Sequence, residues 1–127
     1  MKVIIASSDS ALRRSLSDLL ANATDEVRTT PRSGDLIRWV LDGDFDLVIV
    51  DVELAGMDGV ETLSILKQVR PKVPVIMLSS DASTEMGRRI AEIGVLYHFV
   101  KPVRPSDMLE VVRAAGESRG GPLPMGS

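Results

Sequence analysis

Four short apolar runs in this sequence each give way to residues whose side chains can do chemistry. Val3–Ala6 leads into Ser7, Ser8 and Asp9, Leu47–Val50 into Asp51, Val75–Leu78 into Ser79 and Ser80, and Tyr97–Val100 into Lys101 and Pro102. The set supplies carboxylates, hydroxyls and an ammonium group. Cysteine is absent, which removes thiolate metal sites and disulfides and fits a reducing compartment. The stretch ASSDS, Ala6–Ser10, admits three readings. It is a hydroxyl-rich turn that cradles a phosphate, a metal site that has lost its acids, or a plain helix cap. Strand ends are polar in any protein, so each of these residues taken alone is ordinary. An acid, a hydroxyl and a lysine followed by proline make a more specific combination.

Bringing these residues to one place requires strands that run the same way. The apolar runs are short and β-branched, which favours strands over buried helices. A weaker fifth run, Val27–Thr30, is flanked by charge. Helical spacing fills the intervals. Leu12, Leu16, Leu19 and Leu20 share one face, as do Leu36, Ile37, Val40 and Leu41, and Val60, Leu63, Leu66 and Val69. Met86, Ile90 and Ile93 form a fourth set, and Met108, Leu109, Val112 and Ala115 a fifth. Asp58 with Glu61 reads as an N-cap and its partner. Pro71 closes the third helix, Gly94 stops the fourth, and Pro105 suits the first turn of the fifth. Strands alternating with helices make βα units with right-handed crossovers and parallel strands. The expected fold is α/β, a three-layer sandwich around a doubly wound, mostly parallel five-stranded sheet. Such sheets bind ligands beyond the C-terminal strand ends, where Ser7, Asp51, Ser79 and Lys101 fall.

The chain has 127 residues, 44% of them apolar, enough for one domain with a sizeable core. Its net charge of −3 and the lack of a basic helical stripe argue against direct nucleic-acid binding. No apolar run reaches the length of a membrane span, and the N-terminus does not read as a signal peptide. The expectation is a soluble cytoplasmic domain over residues 1–118, with 119–127 a disordered linker stub or appended tail.

The stretches DLVIVDVELAGMDGVE (46–61), VPVIMLSS (73–80) and FVKP (99–102) resemble the receiver domain of bacterial two-component response regulators. The resemblance covers residue 2 to about residue 118. It implies a flavodoxin-like, CheY-like fold with strand order 2-1-3-4-5. It implies a signalling domain rather than an enzyme, with at most self-catalysed phosphoryl transfer and autodephosphorylation. Asp51 matches the aspartate that accepts a phosphoryl group from a sensor histidine kinase or phosphotransfer protein, a carboxylate nucleophile forming an acyl phosphate. Ser79 matches the hydroxyl and Lys101 the lysine that meet phosphoryl oxygens. The Lys101–Pro102 bond is typically cis in the family. Mg2+ is the implied cofactor, held by carboxylates, water and phosphate oxygen. An output domain or partner protein would dock on the face of helix 4, strand 5 and helix 5, and a homodimer is a further expectation for that face.

Three positions depart from the family pattern. Ser7 and Ser8 stand where two metal-holding acids are usual. Asp9, one residue later, reads as a helix cap, with a metal ligand as the alternative. Asp51 is then the remaining charged metal ligand, and the expectation for Mg2+ includes weakened or absent binding. Glu53 matches a position whose backbone carbonyl ligates the metal, and its side chain either restores part of the missing charge or is an exposed loop acid. With fewer acids nearby, a Lys101–Asp51 pair is expected to dominate the resting pocket. His98, with Tyr97 beside it, matches the aromatic switch position of strand 5, as a pH-sensitive switch or as a partly exposed edge residue. Met86 and Met108 read as core residues, with the partner surface as the alternative. These departures leave a pseudo-receiver, a phosphate-independent interaction module, as the rival function. A flavodoxin-type flavin protein fits the serine turn, but aromatics are only 3% of the chain. A serine hydrolase is disfavoured because the sequence has no nucleophile elbow and His98 lies on a strand with no evident orienting acid.

Overall fold

In a computed structural model of the chain, described for residues 1–43 and 45–118, strands and helices alternate throughout. The elements are β1 (Lys2–Ala6), α1 (Ser10–Leu20), β2 (Glu26–Thr30), α2 (Ser33–Asp42), β3 (Leu47–Asp51), α3 (Gly59–Val69), β4 (Val75–Ser79), α4 (Thr84–Ile93), β5 (Tyr97–Val100) and α5 (Pro105–Ser118). All strand pairs are parallel and the order is β2-β1-β3-β4-β5. The order reverses between β1 and β3, so the crevice of such a fold opens above those two strands. The expected tail at 119–127 lies outside the described residues.

The sheet separates two cores. Ile4, Ala6, Val48, Val50, Val75 and Met77 point to one side, where α2, α3 and α4 cover them with Leu36, Val40, Leu63, Leu66 and Ile90. Val3, Ile5, Leu47, Ile49, Ile76 and Leu78 point to the other, against Leu16, Leu20, Met108, Val112 and Ala115 of α1 and α5. Period-two alternation therefore feeds both cores from the same strands, and explains runs that are apolar at every position. Met108 is fully buried and Met86 packs half-buried against the first core. β2 is an edge strand in which only Thr30 is buried. One-sided burial leaves charged residues in the strand, and that is why its sequence signal is weak. Arg28 of β2 lies over the rings of Trp39 and Phe45, at 5.4 and 5.8 Å from their centroids, a cation–π contact that ties the edge down.

The caps follow the sequence. Asp58 accepts from the Glu61 N–H at the start of α3, and Asp9 accepts from the N–H groups of Ala11 and Leu12 at the start of α1. Gly94 ends α4 at φ +102°, a conformation that L side chains rarely adopt, while its N–H reaches Ile90 O. Asp51 and Ser79 are the last residues of β3 and β4 rather than the first residues of the following loops.

Candidate functional site

β3 is the central strand, flanked by β1 and β4 and covered on both faces. Its last residue, Asp51, is therefore fully buried. Register sets what it meets. Ala6 of β1 pairs with Val50, so the next residue, Ser7, comes level with Asp51. Ser79 of β4 pairs with Val100, so Lys101 follows one step beyond, and its N–H donates to Ser79 O at 2.8 Å. The cis Lys101–Pro102 peptide follows at once.

A buried carboxylate needs partners for its charge and its lone pairs. Asp51 Oδ2 accepts from Lys101 Nζ and from the Ser7 hydroxyl, each at 2.6 Å, and Oδ1 accepts from the Glu53 N–H at 3.1 Å. The expected Lys101–Asp51 pair thus dominates the pocket. Ser7 is itself fully buried, and its Oγ also accepts from the Asp9 N–H at 3.1 Å. Arg13 Nη1 donates to Ser7 O at 2.6 Å, which fastens the β1–α1 turn to the helix that follows.

Ser8 reaches across to the β3–α3 loop. Its N–H and its hydroxyl both donate to Glu53 O, at 2.8 and 3.0 Å. The Glu53 side chain is 59% exposed at the rim of the pocket. Its Oε2 lies 4.0 Å from Lys101 Nζ and its Oε1 is 3.5 Å from the Ser80 hydroxyl. Ser79 is buried, with its Oγ 3.1 Å from Asp81 O and 2.7 Å from His98 Nε2. A hydroxyl has one proton to give. With that proton on Asp81 O, the His98 Nε2–H donates to Ser79. Burial lowers the His98 pKa from its ordinary value, so the neutral ring is favoured.

The donor set does not fit a divalent cation. Among the described residues, no group of three His, Asp or Glu side chains gathers where a metal could sit. Asp51 is the buried carboxylate, and both of its oxygens already accept hydrogen bonds. The Glu53 carbonyl has two donors from Ser8, and Asp9 Oδ1 is occupied by the two helical N–H groups. What the arrangement offers is a sequestered carboxylate nucleophile, an ammonium group on it, and hydroxyls nearby.

Two supports of the site went unread in the sequence. Ser33, at the start of α2, accepts from Met57 N–H at 3.0 Å and donates to Ala55 O at 3.3 Å, anchoring the β3–α3 loop from 22 residues away. Gly59 packs so closely that a Cβ there would lie 2.2 Å from Asp51 O. Asp58-Gly59 was legible as a turn opening α3; the backbone contact that requires glycine was not.

The sequence pattern of the "Response regulator receiver domain" family matches residues 3–113. "DNA-binding transcriptional regulator NtrC" of Azospirillum brasilense is 32% identical over 120 residues, covering 94% of this chain and 25% of the relative. The chain thus spans about a quarter of the length of the first curated relatives it matches. The crystal structure of a CheY-like response regulator receiver domain protein from Methanospirillum hungatei superposes with a TM-score of 0.86 at 27% identity, covering 94% of this chain and 96% of that one. The BeF3-activated DrrB receiver domain of Thermotoga maritima gives 0.83 at 25% identity, over 91% and 97%.

Proposed function

The chain belongs to the response regulator receiver family, and from that premise we propose that it accepts a phosphoryl group on Asp51 from a sensor histidine kinase or phosphotransfer protein. An Asp51 carboxylate oxygen attacks phosphorus, the bond between phosphorus and the donor breaks, and an acyl phosphate results. Lys101 then transfers its hydrogen bond from the carboxylate to a phosphoryl oxygen, and the Ser79 hydroxyl turns from Asp81 and His98 toward another. The observation that carries this reading is the buried Asp51 carboxylate with Lys101 Nζ at 2.6 Å. Receivers generally hold Mg2+ beside this aspartate. Asp51 and Glu53 would be its nearest protein ligands here, but the donor set argues against the site.

Output would run through α4, β5 and α5. Tyr97, Leu96 and Val100 are exposed apolar residues there, at 48%, 40% and 40%, suited to an output domain or partner protein, or to a second copy of the chain. The NtrC relative is a DNA-binding regulator, but this chain carries no basic stripe, so nucleic-acid binding would belong to an attached domain. Nothing in the described helices is long and apolar enough to cross a membrane. A cytoplasmic location is part of the proposal. Family membership displaces the flavoprotein and hydrolase readings.

One observation favours the pseudo-receiver instead: Asp51 has no exposed surface and every carboxylate oxygen is hydrogen-bonded. Intact mass after incubation with acetyl phosphate and with a panel of purified histidine kinases separates the two. A gain of one phosphoryl group that Asp51→Asn abolishes supports the acceptor. No gain from any donor leaves the interaction module as the function.

A further inference from the structure

We propose that this receiver keeps its resting pocket balanced without a divalent cation, because Ser7 and Ser8 use hydroxyl donors to do what a metal would do for acids. The inference concerns the same pocket as the proposed function, and it takes from that reading only the identity of Asp51 as the centre.

Charge is the first support. The buried pocket holds one carboxylate, Asp51, and one ammonium group, Lys101, in direct contact at 2.6 Å. The two cancel. Acids at positions 7 and 8 would leave an excess of negative charge, and a dication would then be required to relieve it. Serines remove the excess and with it the attraction for a cation.

Hydrogen bonding is the second support. Two oxygens at this edge would suit a hard cation, Asp51 Oδ2 and Glu53 O. The Ser7 hydroxyl donates to the first at 2.6 Å, and the Ser8 hydroxyl and N–H donate to the second at 3.0 and 2.8 Å. A cation would have to displace O–H donors already in place and repel the Lys101 ammonium. The one acid of the turn, Asp9, is engaged as the cap of α1. The same bonds fasten the β1–α1 turn to the β3–α3 loop, which makes Ser8 a strap between the two loops.

The test is magnesium titration followed by backbone amide NMR, with no phosphoryl donor present. In the unaltered protein the signals of Ser8, Asp51 and Glu53 are expected not to move saturably. In Ser7→Asp/Ser8→Asp they should, with Mg2+ affinity gained by roughly tenfold or more, as added ligand charge dictates. Saturable shifts at Asp51 and Glu53 in the unaltered protein would overturn the proposal. So would an acid variant that folds and stays silent, since the serines would not then be what excludes the metal. Should the double variant not fold, Ser8→Asp alone, which keeps Ser7 on Asp51, carries the second arm. Because no phosphoryl donor is used, failure of Asp51 to accept phosphate leaves this result readable.

Discussion

Asp51 and Lys101 depend on each other because one is fully buried and the other only 18% exposed. Removing one partner of such a pair costs about 3–5 kcal/mol, mostly by stranding the other charge. Lys101→Met is expected near the low end, about 3 kcal/mol, since Ser7 and the Glu53 N–H remain on the carboxylate. Adding Asp51→Asn to Lys101→Met should recover most of that loss, read as urea midpoints in a double-mutant cycle. Strictly additive effects would show that the pair is not coupled. His98 supplies a pH dependence. Burial lowers its pKa in the folded state, so the unfolded chain binds the proton more readily. The stability tied to neutral His98 is complete above the ordinary value of about 6.5 and is lost as pH falls from there through the folded value. His98→Gln keeps a donor for Ser79 and cannot titrate. It should flatten the stability profile in that window, and an unchanged slope would sink the assignment. Lysine, hydroxyl and aspartate were legible in the sequence because each follows an apolar run. The Ser7–Asp51 bond was not, because it joins residues 44 apart through strand register.

At the scale of elements, the site depends on how tightly α3 begins against the end of β3. Gly59 donates its N–H to Val52 O at 2.8 Å, and a Cβ added there would lie 2.2 Å from Asp51 O and 2.6 Å from Val52 Cα. Both neighbours are backbone and have no side-chain freedom with which to yield. Gly59→Ala should therefore destabilise by about 3 kcal/mol, the upper part of the usual overpacking range. It should also shift the amide signals of Asp51 and Val52. A thermal midpoint equal to that of the parent would contradict the close approach. The elements themselves were legible to different degrees, for physical reasons. β1, β3 and β4 are covered on both sides and read as continuous apolar runs, whereas β2 buries only Thr30 fully and Val27 in part and reads as a charged segment. Caps such as Asp58 are local chemistry and were visible. Ser33 acts on a loop far along the chain, through Met57 and Ala55, and a local pattern carries no trace of that.

For the whole molecule, the question is whether two cores separated by a sheet behave as one cooperative unit. Adjacent residues of the same strand serve opposite cores: Ile4 and Ile5 in β1, Val48 and Ile49 in β3, Ile76 and Met77 in β4. Neither core can be lost while those strands keep their register, because a strand that leaves the sheet withdraws side chains from both. The pocket shares this arrangement, since Ser7, Asp51 and Ser79 extend the same three strands. Unfolding is therefore expected to be a single transition. Trp39 packs half-buried against the core under α2, α3 and α4, and its fluorescence reports that side. Met108 is fully buried in the other core, and its methyl NMR signal reports that side. In urea the two signals should share one midpoint and one slope, coincident with far-UV circular dichroism. Lys101→Met should move all three curves together, because the charge it strands lies at the end of a strand common to both cores. Separate midpoints would mean that the α1–α5 layer detaches first and that the pocket opens without global unfolding.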